Sequence, residues 1–438
     1  SIQISKLFYE RFIKDEEISL FSPHDVPGLY EAFGMPEFDE LYEKYERSYK
    51  TPKTKIRAQE LFMNLLKERA ETGRIYIMNI DHCNTHSSFK DKVYMSNLCQ
   101  EITLPTTPVQ HIDDENGEIA LCILSAVNLG LIRDKEDLEE LCDLSVRALD
   151  EIIDYQEYPI VAAKQSAQSR RSLGIGYIGL AHYLAKNHVA YGDKEALELV
   201  DETTEAFQYY LLKASNQLAI EKGQCEYFEK TKYSDGILPI DTYKKDIDKI
   251  VKRKLSYDWK QLRKDIQEHG LRHSTLSAQM PSESSSVVSN ATNGIEPPRD
   301  YLSVKKSKKG TLKQIVPDYY RLKNFYTLLW DMPSNEGYIN VVATMQKYFD
   351  QAISGNWSYN PQNYKDGEVP ISVMANDLLT TYKLGWKTSY YQNTYDAKTD
   401  LDEPAHPVGW HDNQQEMKSR DEFESQEDYD DYCEACMI

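Results

Sequence analysis

The pattern of apolar and polar positions predicts long helices separated by short strands. Apolar residues recur at helical spacing over residues 134–154, where Asp134 is placed to cap the start and Cys142 lies on the apolar side. Gly223 would end a helix that begins at residue 193, and Ser334 would cap another. The predicted helices span residues 37–72, 134–154, 193–221, 241–268, 334–351 and 369–384.

Short apolar runs between these helices predict strands. Residues 97–104 and 119–127 form two such runs, and residues 387–393 form a third. Residues 301–315 have the pattern of a hairpin with a Lys-Lys-Gly turn. Strands that alternate with long helices predict an α/β fold, and a barrel is one such arrangement.

Composition narrows the class of protein. The chain has 438 residues, of which 40% are hydrophobic and 28% charged, as in an ordinary globular protein. The net charge of −20 argues against nucleic acid and anionic membranes as partners. No apolar run approaches the ~20 residues of a membrane-spanning helix, and no signal pattern opens the chain. We therefore expect a cytoplasmic protein. Because residue 1 is not Met, we expect a processed, trimmed or partial chain.

The last part of the chain has a different character. Residues 395–438 carry 14 acids and three bases, so −11 of the −20 net charge lies there. This composition predicts a mobile acidic tail behind a folded domain of residues 1–394. The tail ends in Cys433 and Cys436, a Cys-x-x-Cys pair. Such a pair suits thiol–disulfide exchange at a site that a flexible tail reaches, although an incidental pair is the alternative.

Three polar residues stand at alternate positions in the first strand-like run. In an extended strand, Asn97, Cys99 and Glu101 would point to one face. An amide, a thiol and a carboxylate together suit sulfur chemistry with a general base. The alternative is a packed cysteine with two polar neighbours.

Two further motifs are ambiguous by themselves. A serine-rich stretch at residues 281–286 precedes a possible helix. It is either an anion site or a helix cap followed by a polar loop. Tyr390 and Tyr391 are adjacent, but so are Tyr209 and Tyr210, and the pair alone carries no meaning. The residues of the serine-rich stretch are Pro281, Ser282, Glu283, Ser284 and Ser285, followed by Ser286.

Other patterns favour structural roles. Gly174, Gly176 and Gly179 have dinucleotide-fingerprint spacing, but no strand is predicted before them and no acidic residue follows where the fingerprint requires one. His82, Cys83 and His86 match no common metal site, so a polar loop is favoured there. Cys142 and Cys225 are expected to be packing residues. The odd total of seven cysteines argues against a disulfide framework.

Taken together, five motifs in this order resemble the large, catalytic subunit of class I ribonucleotide reductase, in its bacterial form. They are the Asn97–Glu101 segment, Cys122 on the next strand, the 281–299 segment, the Tyr390-Tyr391 pair and the terminal cysteine pair. The resemblance implies an incomplete ten-stranded α/β barrel followed by a flexible redox tail.

The resemblance also implies a role for each matching residue. Cys99 would carry the thiyl radical, Glu101 would be the base, and Asn97 would hydrogen-bond the substrate. Cys122 would be one of two reducing thiols. The remaining implied roles are radical relay by Tyr390 and Tyr391, diphosphate binding by Pro281, Ser282, Glu283, Ser284 and Ser285, and re-reduction of the site by Cys433 and Cys436.

Several expected partners lie outside this chain. The family normally has several hundred residues before the segment that Ser1 matches, including allosteric ATP/dNTP sites and the thiol partner of Cys122. We therefore expect either a truncated large subunit or, as we favour, a divided one that works with an N-terminal half, a metal-containing small subunit that generates the radical, and thioredoxin or glutaredoxin. No cofactor or metal is expected on this chain itself, and the isolated chain should be inactive. The alternatives are a non-catalytic protein that binds the small subunit or thioredoxin, and an oxidoreductase that uses only the tail dithiol.

Overall fold

The computed structural model describes residues 1–307 and 310–395. Within them, strands and helices alternate, as an α/β fold requires. The strands are β1 (Ile2–Ile4), β2 (Glu17–Leu20), β3 (Thr54–Arg57), β4 (Ile77–Asn79), β5 (Ile123–Asn128), β6 (Leu173–Ile178), β7 (Leu302–Ser307), β8 (Gly310–Ile315), β9 (Trp357–Tyr359), β10 (Thr388–Ser389) and β11 (Gln392–Thr394).

The helices range from single turns to one of 29 residues. They are α1 (Lys6–Lys14), α2 (Leu29–Ala32), α3 (Phe38–Arg47), α4 (Ala58–Thr72), α5 (Ile80–Thr85), α6 (Lys135–Tyr155), α7 (Val161–Arg170), α8 (Leu180–Lys186), α9 (Lys194–Lys222), α10 (Pro239–Thr242), α11 (Trp259–His269), α12 (Glu283–Val288), α13 (Tyr319–Leu322), α14 (Glu336–Gln346) and α15 (Ile371–Leu384).

The strands that surround the candidate site form an open, curved sheet. β4 lies between β1, which is parallel to it, and β10, which is antiparallel. β5 pairs in parallel with β6. The extended segments 275–279 and 351–355 connect these two groups through bridges from Ile175 to Ser277 and from Gln279 to Ile353, and through the Tyr390 N–H donated to the Gly355 carbonyl. Within the described residues this arc does not close, which agrees with the predicted incomplete barrel.

Helices cover the outer side of the arc. Val127 of β5 and Ile175 of β6 share one buried core with Phe207 of the long helix α9. The inner side carries small residues instead. A Cβ at Gly174 would stand 3.0 Å from the Cys122 sulfur, and one at Gly176 would stand 2.6 Å from the Ala278 carbonyl oxygen. The glycines of the fingerprint-like motif thus lie in or next to β6, and Gly174 and Gly176 allow close packing there.

Three of the predicted helices are confirmed almost to the residue. Asp134 caps α6 by accepting a hydrogen bond from the Asp137 N–H, and Cys142 is fully buried on its inner side. α9 ends at Gly223, and α15 begins two residues inside the predicted bound at residue 369. The strand pairing of the predicted hairpin is also confirmed, with β7 and β8 paired from Leu302–Ile315 to Ser307–Gly310, while Lys308 and Lys309 of its turn lie outside the described residues.

Other predicted elements are wrong in extent. The predicted helix over residues 37–72 is two helices with β3 between them, because Pro52 cannot continue a helix. The predicted helix over 241–268 is broken between residues 250 and 258, so that only α11 is long. α14 begins after Asn335 rather than Ser334 and ends at Gln346. The run 387–393 is interrupted at Tyr390 and Tyr391, which separate β10 from β11.

In the part of the chain that the structure describes, none of the helices combines the length and apolar character that crossing a membrane requires. The predicted tail from residue 395 onward, with Cys433 and Cys436, lies outside the described residues apart from Tyr395.

Candidate active site

The segment that carries Asn97, Cys99 and Glu101 is a tight turn rather than the predicted strand. The Gln100 N–H donates to the Asn97 carbonyl at 3.2 Å, and Gln100 adopts a left-handed conformation with φ of 69°. The Asn97 side-chain oxygen accepts from the Ile102 N–H at 3.1 Å, which closes the turn. Alternation along a strand therefore does not explain why the three side chains are close to one another.

Ser354 joins the thiol-bearing residue to the carboxylate. Its hydroxyl contacts the Cys99 carbonyl and lies 3.1 Å from the Glu101 carboxylate oxygen Oε2. The Glu101 carbonyl in turn accepts from the Ala352 N–H at 3.0 Å. The 351–355 segment of the arc thus fixes the turn in place, so that tertiary contacts bring Cys99 and Glu101 together.

The surroundings of the turn favour the neutral forms of both groups. Burial raises the pKa of the Glu101 carboxyl, while hydrogen bonds from Asn97 and Ser354 oppose that rise. Burial also raises the pKa of the Cys99 thiol, and the nearby Glu101 charge adds to it. The raised pKa of the thiol favours the form that can lose a hydrogen atom, and the raised pKa of the carboxyl makes its ionised form a stronger proton acceptor.

Cys122 lies just before β5, next to the same segment of the arc. The Gln351 side-chain amide donates to the Cys122 sulfur at 3.5 Å and to the Leu173 carbonyl at 2.9 Å. The carbonyl oxygen of that amide accepts from the Thr103 N–H at 3.2 Å. Gln351 therefore links Cys122 to the segment that follows the Cys99 turn. Burial raises the pKa of the Cys122 thiol to about 12.

The tyrosine pair reaches the thiol directly. The Tyr390 hydroxyl lies 3.4 Å from the Cys99 sulfur, and burial raises the pKa of that phenol. The rings of Tyr390 and Tyr391 are in contact, with centroids 4.4 Å apart and planes inclined by 63°. The ring of Tyr76 lies against both, at 4.5 Å and 5.1 Å.

The serine-rich stretch follows the 275–279 segment and opens the short helix α12. Ser282 precedes that helix and is buried, and its carbonyl accepts from the Ser286 N–H at 2.8 Å. The Ser354 N–H donates to the Gln279 carbonyl at 2.9 Å, three residues before Ser282. The stretch thus begins beside the Cys99 turn. Glu283 begins α12, and Pro281, Ser284 and Ser285 are more exposed than Ser282.

The histidines and the remaining cysteines take structural positions. The His82 ring bonds the Trp386 carbonyl at 2.8 Å, and the His86 ring bonds the Gln346 carbonyl at 2.6 Å. Cys83 and Cys225 are buried and free. Across residues 1–307 and 310–395, no group of three His, Cys, Asp or Glu side chains is arranged to hold a metal ion.

Sequence reasoning did not find Ser354, Gln351 or Tyr76. Gln351 falls at the end of the predicted helix 334–351, and Ser354 lies beyond that helix in a segment with no predicted element. Tyr76 is one of 32 tyrosines, and nothing near it in the sequence marks it. Strand register, which sequence alone does not supply, is the signal that would have found it.

A comparison with family models matches most of the chain. Residues 1–324 and 320–392 match the model described as "Ribonucleotide reductase, barrel domain". This match includes the Cys99 turn, Cys122, the serine-rich stretch and the tyrosine pair.

Curated relatives agree with the family match. The chain is 60% identical to "Ribonucleoside-diphosphate reductase subunit alpha" of Haemophilus influenzae over 92% of its own length and 54% of the relative. It is 57% identical to "Ribonucleoside-diphosphate reductase 1 subunit alpha" of Escherichia coli (93% and 54%), and 44% identical to the subunit alpha of Enterobacteria phage T4 (90% and 53%). The chain spans about half the length of the curated relatives it matches. Family match, relatives and site geometry agree that the chain belongs to the ribonucleotide reductase barrel-domain family.

Proposed function

We propose that this chain carries the catalytic centre of a ribonucleoside-diphosphate reductase alpha subunit, which converts ribonucleotides to deoxyribonucleotides by thiyl-radical chemistry. One observation supports this most. The Cys99 sulfur lies 3.4 Å from the Tyr390 hydroxyl, while Ser354 connects the Cys99 backbone to the Glu101 carboxylate. A thiol between a phenol and a base can lose a hydrogen atom on one side and act on a substrate on the other.

The proposed reaction begins at Cys99. An oxidised Tyr390 takes the hydrogen atom of the Cys99 thiol, and the resulting thiyl radical takes the 3′ hydrogen of the ribose. Glu101 accepts the proton of the 3′-hydroxyl, which is the role of a carboxylate held in reach of substrate. Asn97 hydrogen-bonds the substrate, and Pro281, Ser282, Glu283, Ser284 and Ser285 hold the diphosphate. Cys99 returns the 3′ hydrogen at the end of the cycle.

The two reducing electrons come from thiols. Cys122 gives the proton with which the 2′-hydroxyl leaves as water, and Cys122 and a second thiol are oxidised to a disulfide. We assign the second thiol to the part of the relatives' length that this chain does not match. Cys433 and Cys436 exchange with this disulfide, and thioredoxin or glutaredoxin reduces them in turn.

The proposed partners follow from the open arc and from the chemistry. Both outer strands, β1 and β5, lack a further neighbour within the described residues, and unpaired strand edges are sites of strand addition. We assign these edges to a polypeptide that carries the other half of the relatives' length, together with the allosteric ATP/dNTP sites. A metal-containing small subunit supplies the oxidant that Tyr391 passes to Tyr390. Because the described cysteines are free, we assign this function to the reducing cytoplasm.

The test is a reconstitution. The chain is mixed with the complementary polypeptide, the small subunit, a thioredoxin system and a ribonucleoside diphosphate, and deoxynucleotide is measured. We expect turnover that Cys99→Ser lowers more than a thousandfold, because a serine hydroxyl does not form the radical under these conditions. Cys225→Ala, which changes a buried cysteine outside the site, is the control and should retain turnover.

Three outcomes would overturn the proposal. Turnover that survives Cys99→Ser would remove the thiyl radical from Cys99. Tight binding of the small subunit without turnover under any combination of partners would favour a non-catalytic binding protein. Disulfide exchange that requires only the tail would favour a tail-dithiol oxidoreductase.

A further inference from the structure

The phenol ring of Tyr76 lies against the Tyr390 and Tyr391 rings, and strand pairing explains its position. Ile77 at the start of β4 is opposite Ser389 at the end of β10 in an antiparallel ladder. The next pair outward is therefore Tyr76 with Tyr390. Directly opposed residues of antiparallel strands have Cβ atoms about 4.5–5.5 Å apart, which is contact distance for two aromatic rings.

The three phenols form a closed cluster. The Tyr76 ring is 4.5 Å from the Tyr390 ring and 5.1 Å from the Tyr391 ring, nearly perpendicular to the latter at 80°. Only 7% of Tyr76 is exposed, and its hydroxyl interacts with both neighbouring phenols. Because the Tyr390 and Tyr391 rings also touch each other, Tyr76 lies against both members of the pair.

The Tyr390 hydroxyl has one hydrogen and two neighbours that can accept it. One is the Cys99 sulfur at 3.4 Å, a weak acceptor. The other is the Tyr76 oxygen, a better acceptor. The direction of the Tyr390 hydrogen bond thus depends on whether Tyr76 accepts from Tyr390 or donates to it.

We propose that Tyr76 is a positioning residue for radical transfer, whose hydroxyl sets the orientation and hydrogen-bond partner of the Tyr390 hydroxyl against Cys99. This inference deepens the proposed function and rests on it. Tyr76 need not be oxidised in this role. It acts through Tyr390, which alone of the two contacts the thiol.

The charged groups around the cluster are few. Cys99 and Tyr391 face Tyr390, together with Tyr76 itself. The Arg74 charge lowers the pKa of the Tyr76 phenol, and Tyr76 in turn raises the pKa of the buried Arg69 guanidinium. The Glu101 carboxyl acts on the Cys99 thiol from the same turn, so titration of a phenol at position 390 should report on the phenols, the thiol, the two arginines and Glu101.

The first test needs no turnover. A trifluorotyrosine at position 390, whose phenol ionises at lower pH than tyrosine, is titrated by absorbance in the full chain with and without Tyr76→Phe. The Tyr76 O–H can donate to the ionised phenol and Phe cannot, so the variant should raise the pKa at position 390 by about one unit, a tenfold change in the dissociation constant. Tyr177→Phe removes a buried hydroxyl bonded to Thr204 at 2.9 Å and should leave the titration unchanged.

The second test uses the reconstituted reductase. Tyr76→Phe keeps the ring and should lower kcat about tenfold while KM for the nucleotide stays the same, because Tyr76 is not among the residues proposed to bind the substrate. An unchanged titration at position 390 would overturn the inference, whatever the turnover. A shifted titration in a chain that never turns over would instead uphold the positioning contact and count against the proposed function.

Discussion

The Glu101 carboxyl is controlled by residues far away in the sequence. Burial raises its pKa, and the Ser354 hydroxyl, 253 positions away, lowers it through a hydrogen bond. Together with the hydrogen bond from Asn97, these effects set the pH at which Glu101 is ready to accept a proton. A single hydroxyl therefore tunes the proposed base.

Ser354→Ala should make the reductase less active at low pH. Without the hydroxyl, the hydrogen bond that lowers the Glu101 pKa is lost and the pKa rises further. The carboxyl therefore stays protonated up to a higher pH. The acidic limb of the kcat/KM profile should move to higher pH by about 0.5 to 1 unit, given a net hydrogen-bond strength of about 1 kcal/mol. The measurement is the pH profile of the reconstituted enzyme.

A matched control exists in another part of the chain. Ser19 is also buried and its hydroxyl also donates to a carboxylate, that of Glu46, at 2.9 Å. Ser19→Ala should leave the pH profile in place. A profile that is the same for Ser354→Ala and the parent chain would show that Glu101 is not the titrating base.

The reactivity of Cys122 should depend steeply on pH. Since its pKa is about 12, roughly one thiol in ten thousand is ionised at pH 8, and the thiolate is the reactive form. Alkylation of Cys122, followed by mass spectrometry of its peptide, should speed up about tenfold per pH unit from pH 8 to 11. In urea, where the thiol has an ordinary pKa, labelling at pH 8 should be about a thousandfold faster. A rate that is flat with pH in the folded chain would contradict this.

At the scale of elements, the sequence predicts a helix end correctly where a side chain close in sequence caps it with a hydrogen bond. The Asp134 carboxylate accepts from the Asp137 N–H at 2.9 Å, so a cap readable in the sequence is also a cap in space. Asp193 stands in the same position before α9 but makes no such hydrogen bond. The same residue type therefore contributes differently to two helices.

The two aspartates give a matched test of capping. Asp134→Ala should lower the free energy of unfolding by about 1 kcal/mol, because it leaves a helix-terminal N–H without its side-chain acceptor. Asp193→Ala should cost less than half as much, since only the weak interaction with the helix dipole is lost. Urea unfolding of the two variants measures the difference, and equal losses would show that the Asp134 hydrogen bond is not the stabilising contribution.

At the scale of the molecule, one end of the arc exposes apolar surface on its inner side. Leu124 lies two residues after Cys122, points toward Gly174 as Cys122 does, and is 41% exposed. Parallel strands are normally covered on both faces. The helices that cover β5 on its outer side leave this inner face open within the described residues.

Leu124→Lys should weaken assembly with the complementary polypeptide by at least about tenfold, because a charge on an open sheet face opposes burial by a partner. Leu141 on α6 is equally exposed, at 39%, but lies away from the arc, so Leu141→Lys is the control. The dissociation constants are compared by calorimetry. Equal affinity for both variants would remove this face from the proposed interface.

The sequence by itself determined the helices with strong apolar periodicity, the α/β class and the inventory of reactive groups. These follow from neighbours within one or two helical turns, as in α6, or from residue identity, as in Cys99 and Tyr390. The sequence interpretation of Asn97, Cys99 and Glu101 as one face of a strand was wrong, although the three groups do lie close together.

Only the tertiary structure decided how those groups meet. Ser354 and Gln351 reach the Cys99 turn and Cys122 across more than 200 positions, and β4–β10 register sets Tyr76 against Tyr390. The tight turn with a left-handed Gln100 is closed by the Asn97 side chain and held in place by long-range hydrogen bonds from Ser354 and Ala352. Local sequence specifies backbone preferences. The distances between reactive side chains depend instead on which strands become neighbours in the folded protein.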